Sequence, residues 1–161
     1  MVPVRTRRVG AYLIGVALVI GLMAAAAEMT APAEPVDFPA MSRPALSNAW
    51  LICPAGYCIS ENAVSPVFAL PAAELRARWD AMIASQPRVE RTRDDPDGLG
   101  GTWIQRTATL GFRDRVNVRF MDLPGGGSTL AAFSRSGIGL YDFGVNRRRL
   151  EEWLAALAVL A

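Results

Sequence analysis

Three consecutive arginines, Arg147, Arg148 and Arg149, stand where the sequence predicts that a helix begins. The apolar residues that follow recur at the spacing i, i+3, i+4, i+7 of one helix face: Leu150, Trp153, Leu154 and Leu157. A helix start is already electropositive, so each added positive charge costs roughly 0.3–1 kcal/mol unless a negative group is close. The pattern therefore predicts a carboxylate or an anionic ligand beside this turn.

The chemistry that suits such a cluster is anion binding, in which arginine side chains and free backbone N–H groups receive a phosphate or a carboxylate. The candidate anion-binding residues are the turn and the end of the strand before it: Arg135, Ser136, Asn146, Arg147, Arg148 and Arg149. Asn146 projects into the apolar sector of the helical wheel, so we expect it to be the N-cap, bonding the N–H of Arg148 or Arg149. On the same wheel Arg148 points away from the core, and Arg147 and Arg149 flank it.

A structural role for the same arginines is the alternative. Arg147 with Glu151, and Arg148 with Glu152, are spaced i,i+4 on the predicted helix. Asp142 and the carbonyl groups at strand ends are further partners. In this interpretation the arginines join the helix to the sheet and bind nothing from outside.

Composition excludes several classes of site. The chain contains no histidine, which excludes Ser-His-Asp and Cys-His catalysis and zinc sites of the mixed Cys/His kind. The turn DDPDGLG resembles a calcium loop, but aligning Gly98 with the loop glycine puts Arg93 and Ile104 at ligand positions. The composition leaves carboxylate-only catalysis and an oxygen-ligated ion open, but we expect no metal and no cofactor, and we assign no catalytic residue.

The two cysteines, Cys53 and Cys58, flank a Pro-Ala-Gly turn. In an exported domain we expect them to form a disulfide, worth about 2 kcal/mol because the ring is short. The C-x-x-C spacing of redox-active pairs is absent. The disulfide is thus expected to fix one loop.

The N-terminus is predicted to be directed to a membrane. Residues 9–27 carry no charge and follow Arg5, Arg7 and Arg8, and nineteen residues at about 1.5 Å each come close to the roughly 30 Å of a hydrocarbon core. The alanines at residues 25–27 also fit a signal-peptide cleavage site, so residues 1–27 are either a signal anchor with a transmembrane helix or a cleaved signal peptide. In both cases the remainder of the chain is exported.

Residues 28–47 are rich in alanine and proline and lack hydrophobic periodicity, which predicts a linker of up to about 60 Å at roughly 3.1 Å per residue. In the alternative this stretch packs along the domain through Phe38 and Met41. Beyond the N-terminal arginines the chain has 14 arginines against 15 acids. Without a concentrated basic surplus, no nucleic-acid partner is expected.

Residues 48–161 are predicted to form a single α+β domain. After a short apolar run, Pro71 opens a helix that reaches about Gln86. A period of two then predicts strands over residues 89–94, 102–110, 116–121 and 129–135. We expect an antiparallel sheet of four to five strands with two helices on one face and the other face partly open, preceded by the N-terminal membrane-directed helix.

The segments SRSG...YDFGVNRRRLEEW, GFRDRVNVRF and CPAGYCIS together resemble the bacterial and plastid family known as domain of unknown function fourteen-ninety-nine. The resemblance covers roughly residues 46–157, and DFGVNRRR is its most specific part. The cysteine segment departs from the longer Cys-Pro...Asn-Cys-Val-Ser-Ser run of the family, with Tyr57 before Cys58 and Glu61 after Ser60. The resemblance implies one compact domain behind a membrane-directed N-terminus, and it implies no activity, substrate or cofactor.

The sequence thus predicts an exported or membrane-tethered domain of the cell envelope, either anchored in the inner membrane and facing the periplasm or secreted into the periplasm. We expect a non-enzymatic binding module, with an anionic small molecule, a lipid head group or an acidic protein surface at the Arg147 turn. One alternative is an enzyme that uses Asp142 with Arg147 as the electrophilic group, although an adjacent arginine makes a carboxylate a weak base. The other is a purely structural envelope protein.

Overall fold

The computed structural model describes residues 10, 12–20, 23 and 35–160. The chain forms two compact units, Met1–Pro32 and Ala33–Ala161. In the first unit, residues 10, 12–20 and 23 are helical. Over the described part of the chain, no helix has the length and apolar character needed to cross a bilayer. Three features of the sequence analysis lie outside the described residues: the N-terminal arginines, the alanines at residues 25–27 and the linker residues 28–34.

The second unit is an α+β domain built on one mixed sheet. Its described strands are β1 (Ala49–Cys53), β2 (Ala63–Val64), β3 (Val89–Asp94), β4 (Gly100–Arg106), β5 (Arg113–Asp122) and β6 (Ser128–Arg135). They lie in the order β2-β1-β6-β5-β4-β3. The helices are α1 (Ala72–Ala84) and α2 (Val145–Leu160), with a short 3-10 helix at Phe38–Ala40.

The expectation of four to five antiparallel strands is corrected in two respects. The described residues form six strands, and the sheet is mixed because β2 runs parallel to β1. The period-two pattern does not predict β1, because its last three residues are all buried and buried and exposed residues do not alternate there. β2 has two residues, too few to show any period. The other four strands pair antiparallel as predicted, and β3 has the predicted bounds.

Both helices pack on one face of the sheet, against the alternate residues of β5 and β6 that point to that side. Trp79 of α1 is fully buried at the centre of this core. Its ring makes edge contacts with Trp103, Phe120 and Trp153, at centroid separations of 5.7, 5.9 and 5.7 Å. Such pairs add about 0.5–1.5 kcal/mol each beyond the area that they bury.

The opposite face carries a second, smaller core, so it is less open than expected. Phe38 is 4% exposed and packs with Leu51, Cys53 and Ala131, and Met41 lies against the same cluster. The segment before β1 therefore lies along this face of the sheet.

Candidate functional site

The start of α2 is stabilised by a carboxylate of the same chain. Asp142 accepts hydrogen bonds from the N–H groups of Gly144 at 2.8 Å and Asn146 at 2.9 Å. Gly144 adopts a φ of +75°, which favours glycine, and its carbonyl accepts the N–H of Arg148. Asp142 thus supplies the negative charge that the arginine turn requires.

The predicted capping role of Asn146 is wrong. Asn146 is the second residue of α2, and its side chain is fully buried. Its amide nitrogen donates to the Asn48 carbonyl and the Ser136 hydroxyl, each at 2.9 Å, and its amide oxygen accepts from Ser134 at 2.6 Å. Asn146 and Ser136 therefore fasten α2 to the ends of β1 and β6.

Arg149 is also buried, and it belongs to the same network. Its Nη2 donates to the Asp114 carboxylate at 2.5 Å, and the two side chains are only 5% and 4% exposed. Its Nη1 donates to Ser134 at 2.8 Å, and its Nε donates to Gln105. This buried ion pair joins α2 to β5, and the neighbouring hydrogen bonds of Arg149 support it.

The sequence analysis does not identify Asp114, Ser134 and Gln105 as partners of Arg149. For Asp114, however, the alternation of residues along β5 indicates a side chain on the core side. Asp114 has the same parity as Val116 and Val118, which face the core. A carboxylate on the core side of a strand requires a buried partner, because an unpaired buried charge is too costly.

Arg147 remains at the surface. Its side chain is 57% exposed, and its Nε donates to Glu151 at 2.8 Å, as the i,i+4 spacing predicts. The guanidinium carbon lies 5.2 Å from the ring centroid of Trp50. Among the described residues its one hydrogen bond is made by Nε, so the four N–H donors of its two Nη atoms have no acceptor there.

A cleft of about 230 Å³ opens beside this guanidinium. Its lining includes Leu46, Trp50, Tyr141, Asp142 and Arg147. Arg148 and Arg149 border a different cleft, of about 260 Å³, next to Gln105 and Trp153. The three arginines therefore do not converge on one cleft.

The other predicted site residues do not line the cleft beside Trp50. Arg148 is exposed, and its Nη1 donates to the Phe143 carbonyl at 2.9 Å. Arg135 is partly buried at the end of β6, directly across from Arg115 of β5. Of the six candidates, Arg147 is thus the one whose guanidinium faces the cleft beside Trp50.

The exposed apolar side chains of residues 140–145 are a feature that the sequence analysis does not predict. Leu140, Tyr141 and Phe143 are 73%, 60% and 78% exposed, and the two rings stack edge to face at 4.9 Å. Phe143 has a φ of +55°, a conformation that costs a bulky residue about 1–2 kcal/mol. We call residues 140–145 the aromatic loop.

The carboxylates of the DDPDGLG turn pair with arginine side chains. Asp95 bonds Arg93 at 2.7 Å, and both oxygens of Asp97 accept from Arg119, at 2.8 and 2.5 Å. The hydrogen bonds from Arg119 and then from the Leu99 N–H lower the pKa of Asp97 from 3.8 to about 2. Within the described residues no group of His, Cys, Asp or Glu side chains could hold a metal ion.

Cys53 and Cys58 form the predicted disulfide, with their Cα atoms 6.1 Å apart. Both residues lie in the smaller core, at 0% and 8% exposure. The disulfide joins the last residue of β1 to the segment that leads to β2.

A family model described as "Protein of unknown function (DUF1499)" matches residues 29–157, which include the whole sheet, both clefts and the start of α2. No curated protein and no solved structure matches the chain.

Proposed function

Because the chain belongs to the DUF1499 family of proteins of unknown function, we propose its function from the geometry of its surface: a non-enzymatic module that binds an acidic group at Arg147. The surrounding DFGVNRRR run divides into two sets of residues. Asp142, Gly144, Asn146 and Arg149 stabilise the helix start and its attachment to the sheet. Arg147 is left with an exposed head.

The observation that carries the proposal is the stacking of Arg147 on Trp50 beside the cleft. A guanidinium that lies over an aromatic ring is held in one plane and keeps its edge donors free for a carboxylate or phosphate. Its exposed pair with Glu151 is worth at most about 1 kcal/mol, so an incoming acid competes at little cost.

The carboxylate enzyme is less well supported. Both oxygens of Asp142 already accept hydrogen bonds, one from Gly144 and the other from the backbone and side chain of Asn146. A base needs a lone pair that faces its substrate. The purely structural role is supported by the buried pair of Arg149 and Asp114, whereas the exposed pair of Arg147 with Glu151 adds at most about 1 kcal/mol.

We further propose that the domain acts in the cell envelope. The charge-free residues 9–27 behind three arginines support export, with retention as an inner-membrane anchor or release into the periplasm as the two outcomes. The disulfide agrees with an oxidising compartment.

The test is retention of the full chain on an immobilised phosphate matrix that is eluted with increasing salt. Arg147→Gln should elute earlier than the unmodified chain and keep its melting temperature. Arg78→Gln is the matched control, because Arg78 also forms an exposed i,i+4 pair, with Glu74 on α1. Equal elution of the two variants would refute binding at Arg147.

A further inference from the structure

The aromatic loop presents apolar side chains to water beside two exposed arginines. Leu140, Tyr141 and Phe143 are each at least 60% exposed, so their side chains project from the surface. Leu46, half exposed, lies on the wall of the same cleft as Tyr141. A cluster of this kind on one edge of a domain marks a contact surface.

The loop is fixed by hydrogen bonds at both ends. The Asn48 side chain donates to the Gly139 carbonyl at 2.7 Å, and the Asp142 N–H donates to the Ser47 carbonyl at 3.0 Å. Arg148 holds the Phe143 carbonyl from the helix side. The rings are therefore exposed in a defined arrangement, and Phe143 adopts a positive φ within it.

The charges beside the loop complement an anionic surface. Arg147 borders the cleft on the Trp50 side, and Arg148 borders the cleft on the Trp153 side. Tyrosine and other aromatic rings concentrate at the head-group level of bilayers, where arginine heads meet lipid phosphates. Aromatic rings and a leucine on one loop, with arginines beside them at the start of α2, are the combination that this interface favours.

We propose that the aromatic loop docks on an anionic phospholipid bilayer, with Leu140, Tyr141 and Phe143 among the head groups and Arg147 and Arg148 on lipid phosphates. This inference rests on the proposed function and identifies its acidic group as a lipid phosphate. The proposed N-terminal anchor would supply a bilayer at high effective concentration, so that a small contact area is enough.

The experiment follows a dye on the loop of the full chain reconstituted into vesicles. Leu140→Cys carries an environment-sensitive dye, since Cys53 and Cys58 are joined to each other. Val67→Cys is the matched control: it is 68% exposed and precedes Phe68, which pairs with Ser128 at the opposite end of β6 from the loop. Vesicles contain phosphatidylcholine alone or phosphatidylcholine mixed with phosphatidylglycerol.

In the anionic vesicles, the dye at residue 140 should shift its emission to the blue. Its quenching by aqueous iodide should be roughly halved, as expected for a group at the boundary of head groups and acyl chains. The dye at residue 67 should not respond. Phe143→Ser, or Arg147→Gln with Arg148→Gln, should return the residue 140 signal to its value in neutral lipid.

An equal response at residues 67 and 140, or a response in neutral lipid that the arginine variants leave unchanged, would overturn the proposal. If the dye at residue 140 stays in water in both lipids while Arg147→Gln still elutes early from phosphate, the acid-binding function stands and the lipid assignment is wrong. Loss of both effects would refute the two proposals together.

Discussion

The buried pair of Arg149 and Asp114 should be among the most sensitive points of the domain. Replacing either residue alone, by Arg149→Met or Asp114→Leu, leaves the other charge about 95% buried without its partner. Breaking such a pair costs about 3–5 kcal/mol. That is a large part of the roughly 5–15 kcal/mol that stabilises a typical domain.

The magnitude can be tested with a double-mutant cycle measured by urea unfolding and followed by circular dichroism. Each single change should lower the unfolding free energy by about 3–5 kcal/mol. The double variant should lose less than the sum by at least about 2 kcal/mol, because no charge is left unpaired. It should still be less stable than the unmodified chain, since Ser134 and Gln105 lose their shared donor.

The exposed pair of Arg147 and Glu151 is the matched control. Their side chains are 57% and 48% exposed, so Arg147→Met should cost less than about 1 kcal/mol. If Arg149→Met costs no more than Arg147→Met, or if the cycle at Asp114 shows no coupling, the reasoning about burial is wrong.

Two further predictions concern carboxylates with different tasks. Asp142→Ala should lower the unfolding free energy by about 1–2 kcal/mol in thermal or urea unfolding, because the start of α2 loses its cap. Asp142→Asn keeps one acceptor oxygen and should lower the unfolding free energy by less. Equal losses in the two variants would contradict the capping role. For Asp97, the folded-state pKa of about 2 lies below its ordinary 3.8, so its contribution is complete above pH 3.8 and is lost as the pH falls through about 2. Asp97→Asn should therefore lower the melting temperature above pH 3.8, and the two melting curves should converge towards pH 2; a constant difference over that range would contradict the assignment.

The strands with one polar side were predictable from the sequence. β3 was placed at its observed bounds, and β5 was placed within three residues at its start and one at its end, because alternation marks half-buried strands. β1 and β2 were not predictable in this way, because β1 is buried without alternation and β2 has only two residues. Their parallel pairing depends on contacts between distant parts of the chain.

At the site, the sequence located the helix, the arginine turn and the pair of Arg147 with Glu151, but it gave Asn146 the wrong role and did not identify Asp114 as the partner of Arg149. A helical wheel gives the direction of Arg149, and it carries no information on Asp114, which lies 35 positions away. Asn146 looked like a cap because polar residues in an apolar sector are commonly found at helix starts. The buried polar network of Ser134 and Asn48 gave it another role.

The four tryptophans of this protein fall into two sets of intrinsic fluorophores. Trp79, Trp103 and Trp153 share the interior between helices and sheet, so their emission reports whether the domain is folded. Trp50 lies under the Arg147 guanidinium on the wall of the cleft, so its emission responds to whatever approaches that cation. We therefore expect the proposed binding to change the emission of Trp50 alone, and unfolding to change the emission of all four tryptophans.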